Sequence, residues 1–132
     1  MTTPTTEQPT VGVGALVRSG DRYLLVQRGK EPRKGLWAVP GGKVEFGETL
    51  EAAAAREVLE ETGLEVAVGA VAWVGNAIGD GYHFVLIDFH ASVVGGDLAP
   101  GDDAADARWV TKEEALALPL TDSMHELFEE PL

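Results

Sequence analysis

Arg56-Glu57-Val58-Leu59-Glu60-Glu61-Thr62-Gly63 sets three carboxylates within about one helical turn of each other, directly before a glycine. Gly63 suits the left-handed position that closes a helix. Unpaired carbonyls make that end of a helix partly negative, so Lys, Arg or His is the usual occupant and Glu the least favoured. Glu57 stands i,i+3 and i,i+4 from Glu60 and Glu61, so the side chains can converge. Two carboxylates about 6 Å apart at an effective dielectric of about 20 repel by about 3 kcal/mol. A divalent cation would relieve that repulsion, and an oxygen-only donor set suits Mg²⁺ or Mn²⁺. The alternative is a solvated acidic face, because exposed repulsions of this kind cost only tenths of a kcal/mol. The residues upstream decide between the two.

Upstream lies Gly42-Lys43-Val44-Glu45-Phe46-Gly47-Glu48, then seven residues, then Arg56. This stretch resembles the Nudix box, G-x5-E-x7-R-E-U-x-E-E-x-G-U, where U is aliphatic. Gly42, Glu48, Arg56, Glu57, Val58, Glu60, Glu61, Gly63 and Leu64 fill every specified position. Leu36-Trp37-Ala38-Val39-Pro40-Gly41-Gly42 is similar to the W-x-x-P-G-G segment that often precedes the box. The likeness extends over residues 10 to 130. It implies an α/β/α sandwich around a mixed β-sheet. It also implies that Glu57 and Glu61 are principal metal ligands, that Glu60 is a ligand or the base, and that the Gly42 carbonyl is a further donor. Glu48 is expected to pair with Arg56 or to position a water.

The surrounding residues have physical tasks of their own. Gly41 and Gly42 are expected in a tight loop whose backbone approaches a metal or phosphate closely. Thr49 is a suitable N-cap for a helix running to about Thr62, with Glu51 well placed in its first turn. Leu50, Ala54 and Val58 supply an apolar face for packing on a sheet. Arg56 lies i,i+4 from Glu60 and can orient the carboxylates around it. An ordinary helix salt bridge is the plainer reading of Arg56, and a first-turn partner for the helix dipole that of Glu48.

At 132 residues, 45% hydrophobic, the chain is long enough for one domain with a real core, expected over residues 10–132 behind a flexible tail at 1–9. That tail has neither a basic region nor an apolar stretch, so no signal peptide is expected. No apolar run approaches the ~20 residues of a membrane span, and cytoplasmic residence is expected. The absence of cysteine excludes disulfides, thiolate zinc sites and cysteine nucleophiles. A net charge of −12 argues against a nucleic-acid polymer as partner. It leaves room for a small nucleotide, because Arg28, Lys30, Arg33, Lys34 and Lys43 gather around the loop that leads to Gly41. They read either as a phosphate-binding rim, with Arg28, Lys43 and Gly41 touching substrate, or as a solvated basic loop.

Strands are expected at Val11–Val17, Tyr23–Gln27, Leu64–Val74, Tyr82–Val94 and Ala107–Val110, with short extended pieces at 37–39 and 43–45 on either side of a Gly-Gly turn. Thr111-Lys112-Glu113-Glu114 reads as a capping box, and a last helix is expected near Ser123 to Phe128. Asp103, in the loop before the Trp109 strand, resembles an acidic residue that reaches the metal in related enzymes, although loop aspartates commonly just form turns. His83, His90 and His125 have no ligand spacing and are expected to be structural. Trp37, Tyr82 and Phe84 could stack on a nucleobase, although core packing is expected of each.

The resemblance implies a Mg²⁺-dependent hydrolase, with Mn²⁺ as the other suitable ion, acting on a nucleoside diphosphate linked to a second group. Clustered carboxylates would hold the ion, and Glu60 or a neighbour would take the proton of the attacking water. ADP-ribose or a related sugar nucleotide ranks first, and a (d)NTP pyrophosphohydrolase of MutT type second. Some relatives that hydrolyse ADP-ribose carry a proline sixteen residues past the box, where this chain has Asp80. A non-catalytic nucleotide-binding module is a third reading, but no box carboxylate is missing here. A homodimer is expected from the resemblance.

Overall fold

The computed structural model describes residues 8–31, 33–101 and 103–129. Most of the expected tail (residues 1–7) and Asp102 therefore lie outside the described residues. Strand β1 (Thr10–Ser19) organises the rest, because its alternating side chains serve two faces. Val13, Ala15 and Val17 pack with Ala53, Ala54 and Val58 of helix α1 (Leu50–Thr62). Leu16 points the other way, into a cluster with Met124, Leu127 and Phe128 of helix α3 (Asp122–Glu129). Each of these large side chains, fully buried, contributes about 1.5–3 kcal/mol. The result is the expected sandwich, with helices on both faces of a mixed sheet.

Strand β6 (Tyr82–Gly96) runs parallel to β1, pairing Thr10 with Phe84 through Val17 with Ala91, and β5 (Leu64–Gly79) closes that edge antiparallel. The other edge of β1 is divided. Gly12 to Gly14 pair with β4 (Gly41–Lys43), while β2 (Arg22–Arg28) joins only at Arg18–Tyr23 and Ser19–Arg22. Beyond that hairpin β2 turns away to pair with β3 (Trp37–Ala38) and β7 (Ala104–Thr111). The parting of β2 from β4 leaves an opening beside β1, and the C-terminal half of α1 lies over it. Short helix α2 (Lys112–Leu116) follows β7 and begins with the expected reciprocal Thr111–Glu114 capping box.

Three differences from expectation bear on the site and its sheet. The Gly-Gly pair is no turn: Gly41 and Gly42 belong to β4, and the chain bends at Val39-Pro40 instead. Strand β5 continues past Gly75 to Gly79, so the expected seven-residue loop shrinks to a turn at Asp80-Gly81. These strand glycines seat aromatic rings rather than end the strand, since a Cβ at Gly75 would meet the Trp73 ring and one at Gly79 the Tyr82 ring. Strand β7 begins at Ala104, three residues early, because its extra residues extend the antiparallel ladder along β2 to Arg28. Among the described residues, no helix is long and apolar enough to cross a membrane.

Candidate active site

Helix α1 delivers its acidic side chains by local chemistry. The Thr49 hydroxyl accepts the Ala52 N–H at 3.1 Å, and Gly63, at φ 76°, donates to the Leu59 carbonyl at 2.9 Å. The helix therefore starts and stops where the sequence requires, and its apolar stripe fixes its rotation on β1. Glu57 and Glu61 then face the opening beside β4, while Glu48 pairs with Arg56 and Glu60 stays half exposed.

Arg56 holds most of these carboxylates. Its Nε donates to Glu48 Oε2 at 2.6 Å and its Nη2 to Glu48 Oε1 at 3.0 Å, a two-pronged pairing. Nη1 donates to Glu57 Oε1 at 2.9 Å and to both Glu60 oxygens at 3.2 Å. Nη2 also donates to the Lys43 carbonyl at 3.0 Å, tying the helix to the end of β4. The hydrogen bond from Arg56 holds the Glu48 carboxyl below the usual carboxylate range.

Glu57 and Glu61 meet the glycine strand. A Cβ at Gly42 would lie 2.4–2.6 Å from the Glu57 carboxylate, and the Gly41 N–H donates to Glu61. Burial pushes the Glu57 carboxyl up, against the pull of Arg56. Burial first, and the charge of Glu57 second, push Glu61 up to about 8. This pair of oxygen donors, desolvated and mutually repelling, fits a hard divalent cation. The three helix glutamates do not all converge, however. Among the described residues no group of three or more acidic or histidine side chains encloses a metal position. Glu60 turns back to Arg56, and Asp103 is held by Lys30 Nζ at 2.7 Å.

The two glycines should respond differently to alanine. At Gly41 a Cβ would lie 2.2 Å from the Val13 carbonyl oxygen, backbone that cannot yield without breaking the β1–β4 pairing. At Gly42 the obstacle is the movable end of Glu57. Gly41→Ala is therefore expected to lower the melting temperature by roughly 10 °C. Gly42→Ala is expected to stay folded but to displace Glu57, with divalent-ion affinity falling about tenfold or more. Equal melting temperatures for the two variants would contradict this assignment.

Glu57 and Glu61 line a cavity of about 610 Å³, together with Arg28, Lys43, Gly41, Gly42 and Asp103. Arg28 stands close enough to Glu61 and Asp103 to interact electrostatically with both. Asp103 is at the cavity mouth, 64% exposed, and its carbonyl accepts the Gly29 N–H at 2.9 Å. Lys43 is exposed at the end of β4. Trp37 is a core residue, as expected, but Tyr82 and Phe84 line the cavity with ring centroids 6.2 Å apart. All three histidines are exposed on the surface and none lines the cavity.

Two cavity residues carry more than the sequence reading gave them. Arg33 of the basic loop adopts φ 63°, lies 5.2 Å over the Tyr82 ring, and has a buried Nε without an acceptor among the described residues. Asp88 is not among the residues that the sequence singles out. It is only 7% exposed, and burial pushes its carboxyl up to about 7. Its signal was a lone acid inside the apolar run Phe84-Val85-Leu86-Ile87-Asp88-Phe89.

These carboxyls set the pH dependence of the metal-free protein. A folded-state value raised above the unfolded one means the native state holds the extra proton. The associated stability is complete below the ordinary carboxylate range and is lost as pH rises toward 7 for Asp88 and 8 for Glu61. In a chelating buffer the melting temperature is expected to fall by roughly 5 °C or more from pH 5 to 8. Adding Mn²⁺ or Mg²⁺ at pH 8 should restore it, by about 2.7 kcal/mol of stability at a hundred times Kd. A flat profile from pH 5 to 8 in chelator would count against the burial of these groups.

The family model described as NUDIX domain matches residues 8–130. An ADP-ribose pyrophosphatase of Methanocaldococcus jannaschii is 40% identical over 103 residues, which cover 76% of this chain and 61% of that protein, so the chain spans about three fifths of this relative's length. A Mycobacterium tuberculosis protein provisionally named 8-oxo-dGTP diphosphatase 2 is 42% identical over 109 residues, covering 79% of this chain and 74% of the relative. The crystal structure of a MutT NUDIX hydrolase from Burkholderia pseudomallei superposes with a TM-score of 0.88 at 31% identity, covering 96% of this chain and all of that one.

Proposed function

This chain belongs to the Nudix family, and from that premise we propose that it hydrolyses the diphosphate linkage of a nucleoside diphosphate joined to a second group, ADP-ribose or a related sugar nucleotide foremost. One observation carries the reading: Glu57 and Glu61 meet the Gly41-Gly42 strand inside the same cavity as Arg28 and the Tyr82 and Phe84 rings. A diphosphate with a nucleoside attached needs such a combination of acidic, basic and aromatic lining, and the cavity volume is in the range of ligand sites.

Glu57, Glu61 and the Gly42 carbonyl would hold Mg²⁺ or Mn²⁺. Asp103 would be added as it leaves Lys30, and Glu60 as it leaves Arg56 where it serves as a ligand rather than as the base. When bound, the ion neutralises charge on the diphosphate and polarises its phosphorus. Arg28 and Lys43 bind phosphate oxygens, while Gly41, whose N–H is taken by Glu61, lets the phosphates pass close to the β4 backbone. Glu60, the most solvated of the box carboxylates, accepts the proton of the attacking water. The water oxygen bonds to phosphorus, the bridging P–O bond breaks, and the leaving phosphate takes the electron pair. ADP-ribose would yield AMP and ribose 5-phosphate.

The second reading, a (d)NTP pyrophosphohydrolase, is favoured by the MutT neighbour and the mycobacterial relative. A panel of ADP-ribose, NADH, dinucleoside polyphosphates and all (d)NTPs, with Mg²⁺ or Mn²⁺ and products resolved by chromatography, separates the two. Preference for a (d)NTP with release of pyrophosphate would replace the first reading by the second. No metal-dependent turnover of any member would leave a binding module. The homodimer is supported by edge strand β5, whose Val74 and Ile78 are 59% and 66% exposed on one face. Sedimentation equilibrium should give twice the chain mass, and Ile78→Lys should reduce it to one.

A further inference from the structure

The cavity reaches both faces of the sheet. Glu57 and Glu61 enter it from α1, and Thr121 and Ser123 from the α3 side. Its floor on the α3 side is built from β1 and β6, whose registered pairs Gly12–Leu86 and Gly14–Asp88 lie side by side. Phe84, Leu86 and Asp88 share one strand parity, and Leu86 packs against the core cluster that contains α3. Ile87 and Phe89, of opposite parity, pack on the α1 side. Gly14 makes room for the acid, since a Cβ there would lie 2.4 Å from Asp88 Oδ1. Val39 and the Pro40 carbonyl stand near the same point. Asp88 is thus an almost wholly buried carboxyl on the cavity wall that forms no hydrogen bond or ion pair among the described residues.

A carboxyl kept for architecture has partners, because a buried polar group without them costs free energy. Among the described residues Asp88 has none, and it opens onto the cavity beside the Tyr82 and Phe84 rings. We propose that Asp88 is a specificity-determining residue whose carboxyl hydrogen-bonds the edge of an adenine base, where an amino donor adjoins a ring-nitrogen acceptor. The inference rests on the hydrolase reading above only in taking the nucleotide to be the occupant of the cavity. Burial favours the neutral acid, which offers one donor and one acceptor side by side and so complements that edge. The Tyr82 and Phe84 rings supply apolar surface for the flat base, and the phosphates extend over β4 toward Glu57 and Glu61.

The test is a binding measurement that needs no turnover. Calorimetric Kd values for AMP and for purine riboside 5′-monophosphate, which lacks only the amino group, are compared in the native protein, Asp88→Asn and Asp88→Leu. The native protein should prefer AMP by about tenfold, the worth of one hydrogen bond. Asp88→Asn, which keeps a donor beside an acceptor, should retain the preference. Asp88→Leu should bind both nucleotides alike, and its melting temperature should equal or exceed the native value, because no partner is lost. The proposal is overturned if the native protein binds the two alike or binds neither, or if Asp88→Leu still prefers AMP. Failure of the hydrolase reading looks different: AMP preference would persist while ADP-ribose with Mg²⁺ stays intact.

Discussion

Glu57→Gln is expected to lower kcat/KM for the preferred substrate by about 10³-fold, because on the role proposed above it removes a ligand to a charge-neutralising ion and with it several kcal/mol of transition-state stabilisation. Stability should not fall with it. The Glu57 carboxylate is only 15% exposed and its carboxyl is pushed up by burial, so the neutral amide removes a desolvation cost. The amide oxygen can still accept the 2.9 Å hydrogen bond from Arg56 Nη1. The measurement is kcat/KM against Mg²⁺ concentration, with the melting temperature in chelator recorded alongside. A folded variant with native turnover and native Mg²⁺ dependence would remove Glu57 from the metal site. Glu61→Gln should lose activity similarly but gain more stability in chelator, because Glu61 is pushed up further and the Gly41 N–H can still donate to an amide oxygen.

How much of this was legible in the chain depends on the range of the forces involved. The box helix could be read to its ends because Thr49 and Gly63 act within one turn and the positions of Ala53, Ala54 and Val58 fix its buried face. The β5 boundary could not, because Gly75 and Gly79 look like breakers until the Trp73 and Tyr82 rings are seen lying over them. Sequence spacing allows Glu57, Glu60 and Glu61 to converge, but it contains no information on which of them Arg56 will take. The competition is settled by the distance from Arg56 to β4, a tertiary quantity. Asp103 shows the same limit, since its partner Lys30 comes from a loop seventy-odd residues away. Asp88 was the instructive omission. A strand full of apolar residues invites reading as core, and the one charged member draws attention only when its lack of partners is known.

Arg56 is where structure and chemistry depend on the same side chain. Its guanidinium meets Glu48, Glu57 and Glu60 and the Lys43 carbonyl at once, with 24% of its side chain exposed. Arg56→Ala leaves Glu48, Glu57 and Glu60 without their shared counter-charge. Allowing for partial solvent screening, the expected loss is about 2 kcal/mol, or roughly 6–10 °C in melting temperature. Arg56→Lys keeps the charge but not the fork, so it cannot hold both Glu48 oxygens and reach Glu57 and Glu60 together. It should recover most of the stability while kcat/KM stays about 10²-fold low, because the carboxylates are neutralised but no longer placed. The divalent ion offers an internal control. A cation held by Glu57 and Glu61 takes over part of the neutralisation, so the Arg56→Ala deficit should shrink when Mg²⁺ or Mn²⁺ is added. If the deficit is the same with and without the ion, Arg56 and the cation do not share Glu57, and the division of the carboxylates between them is wrong.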